Sequence, residues 1–422
     1  MSSEEAFSSY RWIILAVLWI GTFFMSGTWL FIISIIDEIG FGIFNIGLTT
    51  GEGALIVILP FVSLIPLSFL SGPIVDRIGV KKIGIIGSVI FALFASLRGI
   101  SDSFFTLAIY SIIMGAGIGL SMPLGSKLIG YWFKESEIGT ANGISVMASG
   151  FGIFFFEAIT LPIILPLVGH NWRNTFFFYG ILLVISTIFW ILFIKDYPEE
   201  QAGEKTFERA PIREALSSII RNKEVWFVGI VATALNLSYF VGKNAYRLLF
   251  PLRTGESSFF HNLFGKPEIA VLLISIISLG AMFSNIIIPF LSDRMKNRKI
   301  FITIGLSVMG VLIVLTGMVT GIILWVFAFI IGFTVGMVAP LTPTCIIEIV
   351  EAKYIGTAAG LTNSLGYASV LTLSMLFPYL IPDKSNPILY LPLLIALGIL
   401  CYVGVLFIQK LPETAGKMRR VH

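Results

Sequence analysis

Long apolar runs separated by short polar segments extend along most of the 422-residue chain. A helix rises about 1.5 Å per residue, so about 20 apolar residues are needed to cross a hydrocarbon core about 30 Å thick. By this criterion the pattern predicts twelve membrane-spanning helices in two sets of six. The first set covers residues 12–36, 48–70, 83–98, 104–129, 139–166 and 175–195. The second set covers residues 224–250, 268–291, 300–319, 322–347, 355–381 and 388–409.

The segment between the two sets has a different composition, because charged residues and prolines replace the apolar run. We therefore interpret residues 1–196 as an N-terminal six-helix bundle and residues 197–223 as a cytoplasmic linker. Residues 224–422 form the predicted C-terminal six-helix bundle, which ends in a short cytoplasmic tail. Within the linker, residues 212–221 are expected to form a short amphipathic helix at the membrane surface.

Two short motifs recur along the chain with one shared sequence offset. The charged motif at 76–82 corresponds to the one at 293–299, and the Ile-Gly-Thr-Ala motif at 138–141 recurs at 355–358. Twelve spans in this order keep the same orientation in both sets. The sequence therefore predicts an all-α integral membrane fold, with two bundles around a central cavity. The two bundles are related by a parallel repeat about an axis along the membrane normal.

Composition supports the prediction of a membrane protein. Only 12% of the residues are charged, whereas soluble domains average about a quarter, so the chain needs a lipid bilayer as its partner. The net charge of +4 does not indicate nucleic-acid binding, because the basic residues lie in loops. Of the 28 Lys and Arg residues, 21 fall on one predicted face. The positive-inside rule then predicts a multi-pass protein of the cell membrane, with both termini and the linker in the cytoplasm.

Cysteine and histidine usage indicates neither a metal site nor an enzyme. Cys345 and Cys401 lie in apolar runs, and the three histidines lie in loops or at the C-terminus. These positions match no ligand spacing, and no single span carries a pair of carboxylates. We therefore expect no metal, no cofactor and no enzymatic activity.

The segment 72–82 resembles the G-x-x-x-D-R-x-G-x-K-K signature of the major facilitator superfamily, and a shorter copy follows the eighth predicted helix. The resemblance implies a transporter fold in which these loops act as a conformational switch. A short loop that turns tightly at its glycines is expected; the alternative is a loop that only fixes topology. The matching residues are Gly72, Asp76, Arg77, Gly79, Lys81 and Lys82, with Asp293 and Arg294 in the second copy.

Shorter patterns resemble the anion:cation symporter branch and related carboxylate carriers of that family. They are the segment 131–143, between the fourth and fifth predicted helices, and residues 171–173, which lead into the sixth. Ser111 departs from the family pattern, because many proton-coupled members carry an arginine there, four residues before a glycine. The fifth helix also lacks the Gly-Pro pair of drug antiporters, which makes drug efflux less favoured.

Lys243 and Arg247, in the seventh predicted helix, are the strongest candidates for a substrate-binding site. In a regular helix with about 100° per residue, they share one arc with Asn236 and Tyr239. The resemblance implies that this helix lines the central cavity, with Lys243 in its outer third. The alternative is that both cations extend to the outer headgroups.

Two acids are candidates for a coupling or gating role. Glu157 is the one acid inside the fifth predicted helix, and a carboxyl group that is buried without a partner takes up a proton. The alternatives are a neutral Glu157 bonded to a neighbouring helix, or a pair with Arg98 or Arg173. Glu52 begins the second helix, where the helix dipole favours a carboxylate. The alternative is that Glu52 contributes to an outer gate.

These residues together predict a secondary active transporter that moves a small-molecule substrate by alternating access, as a monomer. A cation that faces a low-dielectric cavity needs a neutralising partner. That partner is either an anionic substrate or an internal acid, Glu52 or Glu157. The favoured substrate is a small organic or inorganic anion, moved with a coupled cation or proton. The alternatives are an efflux carrier for an amphipathic compound and a membrane sensor without transport.

Overall fold

The computed structural model describes residues 9–133, 135–196, 212–253, 266–351, 354–381 and 386–414. Within these ranges the regular structure is entirely helical, without a β-strand. The first set of helices comprises α1 (Arg11–Leu30), α2 (Ile32–Phe41), α3 (Thr50–Ile58), α4 (Phe61–Ile78), α5 (Val80–Leu97), α6 (Phe104–Ser121), α7 (Leu124–Trp132), α8 (Glu135–Ile159), α9 (Leu165–Leu167) and α10 (Trp172–Phe193). Helix α11 (Ile212–Arg221) follows. The second set comprises α12 (Lys223–Asn236), α13 (Gly242–Arg253), α14 (Lys266–Met295), α15 (Arg298–Thr316), α16 (Ile323–Val338), α17 (Leu341–Ile349), α18 (Ile355–Leu380) and α19 (Leu391–Lys410).

Eleven helical segments in the described part of the chain are long and apolar enough to cross a membrane. They match eleven of the predicted spans to within a few residues. The remaining prediction, at 355–381, corresponds to α18, which has 26 residues. The mean hydropathy of α18 is lower than that of the eleven segments. The reason is that α18 carries hydroxyl and amide side chains such as Thr362, Asn363 and Ser364. The helix predicted over 212–221 is present as α11, whereas the preceding linker residues 197–211 lie outside the described residues.

Two of the spans are divided at a proline. Pro123 directly precedes the first residue of α7, and Pro340 directly precedes the first residue of α17. Proline has no N–H to donate and fits best at the beginning of a helix. The two prolines are separated by the offset of the repeated motifs, so the same break occurs at corresponding places in both sets.

The prediction of a tight loop that starts at Gly72 is wrong. Helix α4 continues through Gly72 and Asp76 to Ile78, and the chain turns at the single residue Gly79, where φ is +98°. The residues from 74 to 78 contain no helix breaker, so the backbone stays helical until a glycine adopts a positive φ. Lys296 also has a positive φ of +50° at the corresponding turn after α14.

Acidic residues cap the helices that follow these turns. An Asp196 carboxylate oxygen accepts a hydrogen bond from the Lys81 backbone N–H at 2.8 Å. A Glu413 carboxylate oxygen accepts one from the Arg298 backbone N–H, also at 2.8 Å. Carboxylates are favoured at a helix N-terminus, where backbone N–H groups lack partners. The two donors, like the two acceptors, are related by the offset of the repeat, so the contacts are equivalent.

Glycines allow the closest helix contacts in each set. A Cβ atom at Gly115 would collide with the Pro60 carbonyl oxygen, and one at Gly332 would collide with the Ile277 carbonyl oxygen. Small residues let helix backbones approach closely in a membrane. The two glycines and the two residues that they contact again occupy corresponding positions of the repeat.

We expect Gly115→Ala and Gly332→Ala to destabilise the protein by about 1–3 kcal/mol each, because the added methyl group overpacks a backbone contact. Thermal unfolding of the detergent-solubilised protein measures this effect. Gly130→Ala is the matched control, since nothing lies within 4 Å of a Cβ atom built at Gly130. Equal unfolding temperatures for all three variants would show that the close contacts do not limit stability.

Candidate transport site

A buried ion pair joins the two sets of helices. Lys243 Nζ, in α13, lies 2.6 Å from Glu157 Oε1 and 2.8 Å from Glu157 Oε2, in α8. The two side chains are 2% and 1% exposed. A charge removed from water is costly unless an opposite charge and hydrogen bonds compensate it. Each residue is therefore the neutralising partner that the other requires.

Ser278 in α14 completes this site. Its hydroxyl donates to Glu157 Oε2 at 3.0 Å and accepts from Lys243 Nζ at 2.9 Å. The ammonium group thus has three acceptors for its three N–H bonds. Tyr239 lies on the other side, with its ring centroid 5.3 Å from Lys243 Nζ. Three helices, α8, α13 and α14, therefore converge on one ammonium–carboxylate centre.

Both helices that carry the ion pair contain a π-helical turn next to it. Residues Leu237–Val241 form one before Lys243, and Thr160–Ile164 form the other after Glu157. Hydroxyl groups bond the backbone carbonyls around the second turn. Ser34 donates to the Glu157 carbonyl oxygen at 3.1 Å, and Thr160 donates to the Phe156 carbonyl oxygen. Single π-turns occur frequently at functional sites, and these two set the positions of the paired charges.

The π-turn at Leu237–Val241 corrects the predicted polar arc of the seventh helix. A regular spacing of about 100° does not hold across a π-turn, because the turn contains more residues. Asn236 Nδ2 donates to the Ala232 carbonyl oxygen of its own helix at 2.8 Å and lies against Gly366 of α18. The structure therefore brings Tyr239 and Lys243 together and turns Asn236 toward α18. The side chain of Arg247 lies outside the described residues.

Two cations that were candidate partners of Glu157 lie elsewhere. Arg98 is fully buried, donates to the Thr28 carbonyl oxygen at 3.1 Å and lies 4.8 Å from the Phe176 ring. Arg173 Nη1 donates to the carbonyl oxygens of Gly99 and Ser101. These contacts hold the end of α5 against α1 and α10, and the partner of Glu157 is Lys243.

Glu52 takes the helix-capping role. Its carboxylate accepts from the Thr49 backbone N–H at 2.8 Å and from the Thr49 hydroxyl at 2.7 Å. The Glu52 backbone N–H donates in return to Thr49 Oγ1 at 3.2 Å. This reciprocal capping box satisfies donors at the N-terminus of α3, and the acid that pairs with Lys243 is Glu157.

The residues of the charged motif lie around the two turns. Gly72 accepts a hydrogen bond through its carbonyl oxygen from Lys127 Nζ at 3.1 Å. Asp76 lies on α4, and its side chain is outside the described residues. In the second copy, Asp293 lies 2.5 Å from Arg298 Nη1. Four basic side chains of the two motif segments are exposed: Arg77, Lys82, Arg294 and Lys296.

Arg298 also contacts an acid that follows the proline break of the second set. Its Nη2 lies 3.2 Å from Glu348 Oε1, and the two side chains are 9% and 8% exposed. This contact links the charged turn to α17. The resemblance to the family implies such a pair between the basic motif residues and the acids that end the tenth predicted helix, and Glu348 is the acid that Arg298 contacts.

Four aromatic side chains lie between the two sets of helices and were not predicted as site residues. Phe61 of α4 stacks on Tyr367 of α18 at a centroid distance of 4.9 Å. Trp29 and Phe240 contact Phe61 edge-on, at 5.5 and 5.2 Å. An aromatic residue in an apolar span gives no signal of its own, because the same residue type faces lipid elsewhere. In the described residues no group of three His, Cys, Asp or Glu side chains could hold a metal ion.

A chain whose described residues include eleven helical segments able to cross a membrane is a multi-pass membrane protein. The chain belongs to the Major Facilitator Superfamily, whose family profile matches residues 18–372. The predicted family is thus confirmed. Its members are transporters and not enzymes, in agreement with the prediction from the absence of a catalytic constellation.

Several named transporters are similar to part of the chain. A probable sulfoacetate transporter of Cupriavidus necator is 28% identical over 159 residues, which cover 37% of this chain and 36% of that protein. A probable L-galactonate transporter of Escherichia coli is 29% identical over 197 residues, or 42% and 43% of the two chains. A hexuronate transporter of Bacillus subtilis is 26% identical over 41% of each chain. The matched segments span less than half the length of each relative.

Proposed function

We propose that this protein is a secondary active transporter that moves a small organic anion across the cell membrane by alternating access. The observation that supports it best is the buried Lys243–Glu157 pair, which lies between the two sets of helices. A buried cation that can exchange its counter-ion is a suitable anion-binding group. The names of the similar transporters, which are those of sulfoacetate, galactonate and hexuronate carriers, favour an anionic substrate.

The proposal includes the predicted two-bundle architecture. Residues 1–196 and 224–422 form the bundles, residues 197–223 form the linker, and α18 is the twelfth span. The equivalent proline breaks, glycine contacts and acidic caps, all related by one sequence offset, support two related halves. The charge distribution supports cytoplasmic termini.

The ion pair suggests how substrate and proton are coupled. A substrate carboxylate that binds Lys243 Nζ takes the place of the Glu157 carboxylate. The freed Glu157 is then a buried acid without a cationic partner, and such an acid binds a proton because desolvation disfavours its charged form. One anion and one proton enter together, and the net charge of the site does not change. We therefore infer symport of the anion with a proton.

The same exchange gives a reason for alternating access. Lys243 belongs to the second set of helices and Glu157 to the first, so their bond holds the two sets together at this level. A substrate that replaces Glu157 removes this bond. The two sets can then separate at this level without leaving a buried charge unpaired. An unpaired buried charge costs several kcal/mol.

The experiment that tests this function is solute counterflow with the purified protein in liposomes. Vesicles preloaded with one unlabelled compound are exposed to a trace of the labelled compound, across a panel of carboxylates, neutral sugars and amino acids. We expect counterflow of at least one carboxylate, faster than in protein-free vesicles. Counterflow of neutral sugars alone would contradict the anion proposal and leave a transporter of a different class.

The switch role of the charged motif gives a further prediction. We expect Asp76→Asn to slow counterflow while equilibrium substrate affinity stays within a few-fold. The carboxylate is proposed to stabilise one conformation and not to touch the ligand. Asp102→Asn is the control, because Asp102 lies in the turn before α6 and bonds to Ser103 and Thr106. Loss of equilibrium binding in a folded Asp76→Asn protein would place this end of α4 in the binding site.

A further inference from the structure

The aromatic group formed by Trp29, Phe61, Phe240 and Tyr367 joins the two sets of helices beside the ion pair. Trp29 and Phe61 come from the first set, whereas Phe240 and Tyr367 come from the second. The stacked pair Phe61–Tyr367, with an interplanar angle of 18°, crosses from one set to the other. Its two rings must therefore part when the sets of helices separate.

Tyr239 connects this aromatic group to the charged centre. Its ring centroid lies 5.0 Å from that of Phe240 and 5.3 Å from Lys243 Nζ. An apolar surface thus extends from the stacked rings to the ammonium group. Phe61 is fully buried, but Trp29, Tyr239, Phe240 and Tyr367 each keep part of their surface accessible.

Several serine hydroxyls on the two helices of the stacked pair are bonded to backbone carbonyls. On α4, Ser63 donates to the Ile112 carbonyl oxygen. On α18, Ser364 donates to the Ile65 carbonyl oxygen at 3.4 Å and Ser369 donates to the Gly366 carbonyl oxygen at 2.6 Å. A polyhydroxylated ligand needs many polar partners, because each buried hydroxyl without one is costly. In the aromatic group the Trp29 indole N–H is a buried donor without a hydrogen-bond partner among the described residues. The surface next to the rings thus offers a ligand few polar partners and favours a mostly apolar ligand body.

The charge of the site limits the charge of the ligand. Among the described residues the buried charged side chains are Arg98, Glu157, Lys243, Arg298 and Glu348. Arg98 bonds within the first set, and Arg298 and Glu348 bond to each other within the second. The described contact between the sets thus contains one buried cation, Lys243, which matches one carboxylate.

We propose that the substrate is an aromatic monocarboxylate, with its carboxylate on Lys243 and its ring between Phe61 and Tyr367. This inference rests on the proposed anion transport and names the class of anion. A flat ring replaces the stacking contact that is lost when the two helices part, at ordinary offset-stacked distances. The relatives named for sugar acids and sulfoacetate are expected to differ from this chain at the aromatic group.

The test is competition binding and counterflow with the full-length protein in liposomes. Labelled benzoate and phenylacetate are the aromatic probes, D-gluconate is the sugar-acid probe and galactarate is the dicarboxylate probe. We expect benzoate or phenylacetate to bind at least tenfold more tightly than gluconate or galactarate.

Substitutions of the rings test where the ligand binds. Phe240→Leu and Tyr367→Leu keep an apolar side chain and remove a ring, and each is expected to weaken binding of the aromatic probe by about three- to tenfold. Phe283→Leu is the control, because Phe283 is 43% exposed and its ring pairs with Phe329 away from the contact between the sets. Its affinity is expected to stay within twofold of wild type. Thermal unfolding of each variant shows that it is folded.

The outcomes separate this inference from the proposed function. Counterflow of gluconate or galactarate in preference to aromatic acids overturns the aromatic substrate and leaves anion transport intact. Ring variants that bind the aromatic probe as well as the control overturn the assigned position. No binding or counterflow of either aromatic probe overturns the aromatic substrate, and the wider panel of carboxylates then decides whether anion transport stands.

Discussion

Lys243→Met is expected to lower anion transport at least tenfold. Met keeps the length of the side chain and removes the charge, so the substrate carboxylate loses a charge-assisted contact. Such a contact contributes about 1.5–3 kcal/mol, and every 1.4 kcal/mol corresponds to a factor of ten in binding. Counterflow of the anion that the wild-type protein carries measures the loss, with protein amounts matched in the vesicles.

A double variant distinguishes lost binding from lost stability. Lys243→Met leaves the Glu157 carboxylate buried without its partner, and breaking one side of a buried pair is destabilising by about 3–5 kcal/mol unless the acid takes up a proton. Adding Glu157→Gln removes the remaining charge, so the double variant is expected to regain thermal stability. Transport is expected to remain low, because the cation for the substrate is still missing. If the double variant recovers transport together with stability, Lys243 is a structural residue and does not bind the anion.

The helix positions could be predicted from the sequence because the bilayer imposes a length and an apolar composition on each span. The ends of the spans were less predictable, as the turn after α4 shows. Glycine at position 72 suggested a loop, but Gly79 alone adopts the positive φ that ends the helix. The mean hydropathy of α18 is also lower than that of the other spans, because polar residues such as Thr362 and Ser374 stand among its buried positions.

The two charges of the site could be predicted individually, and Glu157 was one predicted partner of Lys243, but the sequence could not select it over Glu52 or an anionic substrate. Lys243 and Glu157 stand out because ionisable groups are rare in spans. Which acid meets Lys243 depends on the relative heights and rotations of α8 and α13, and each helix has a π-turn next to its charge. A regular helical spacing gives the wrong rotation there. Ser278 gave no signal, since a serine in an apolar helix most often bonds its own backbone.

Glu157→Gln is expected to abolish proton-driven accumulation of the substrate while exchange continues. The amide keeps the size of the carboxyl group and can still accept a hydrogen bond from Lys243 through its oxygen, but it does not titrate. In the wild-type protein, the carboxylate that leaves Lys243 binds a proton and carries it along with the anion. In the variant no proton moves with the anion, so a pH gradient cannot drive accumulation of the anion.

The measurement is uptake into liposomes that are more alkaline inside than outside. For one anion per proton, a gradient of one pH unit supports about tenfold accumulation in the wild-type protein, since one unit corresponds to about 1.4 kcal/mol. The Glu157→Gln protein should only equilibrate the anion across the membrane, with counterflow within a few-fold of wild type. Glu137→Gln is the control, because Glu137 lies on the same helix in an ion pair with Arg11 and is 30% exposed. Accumulation by Glu157→Gln that equals the control would mean that the coupling proton binds elsewhere.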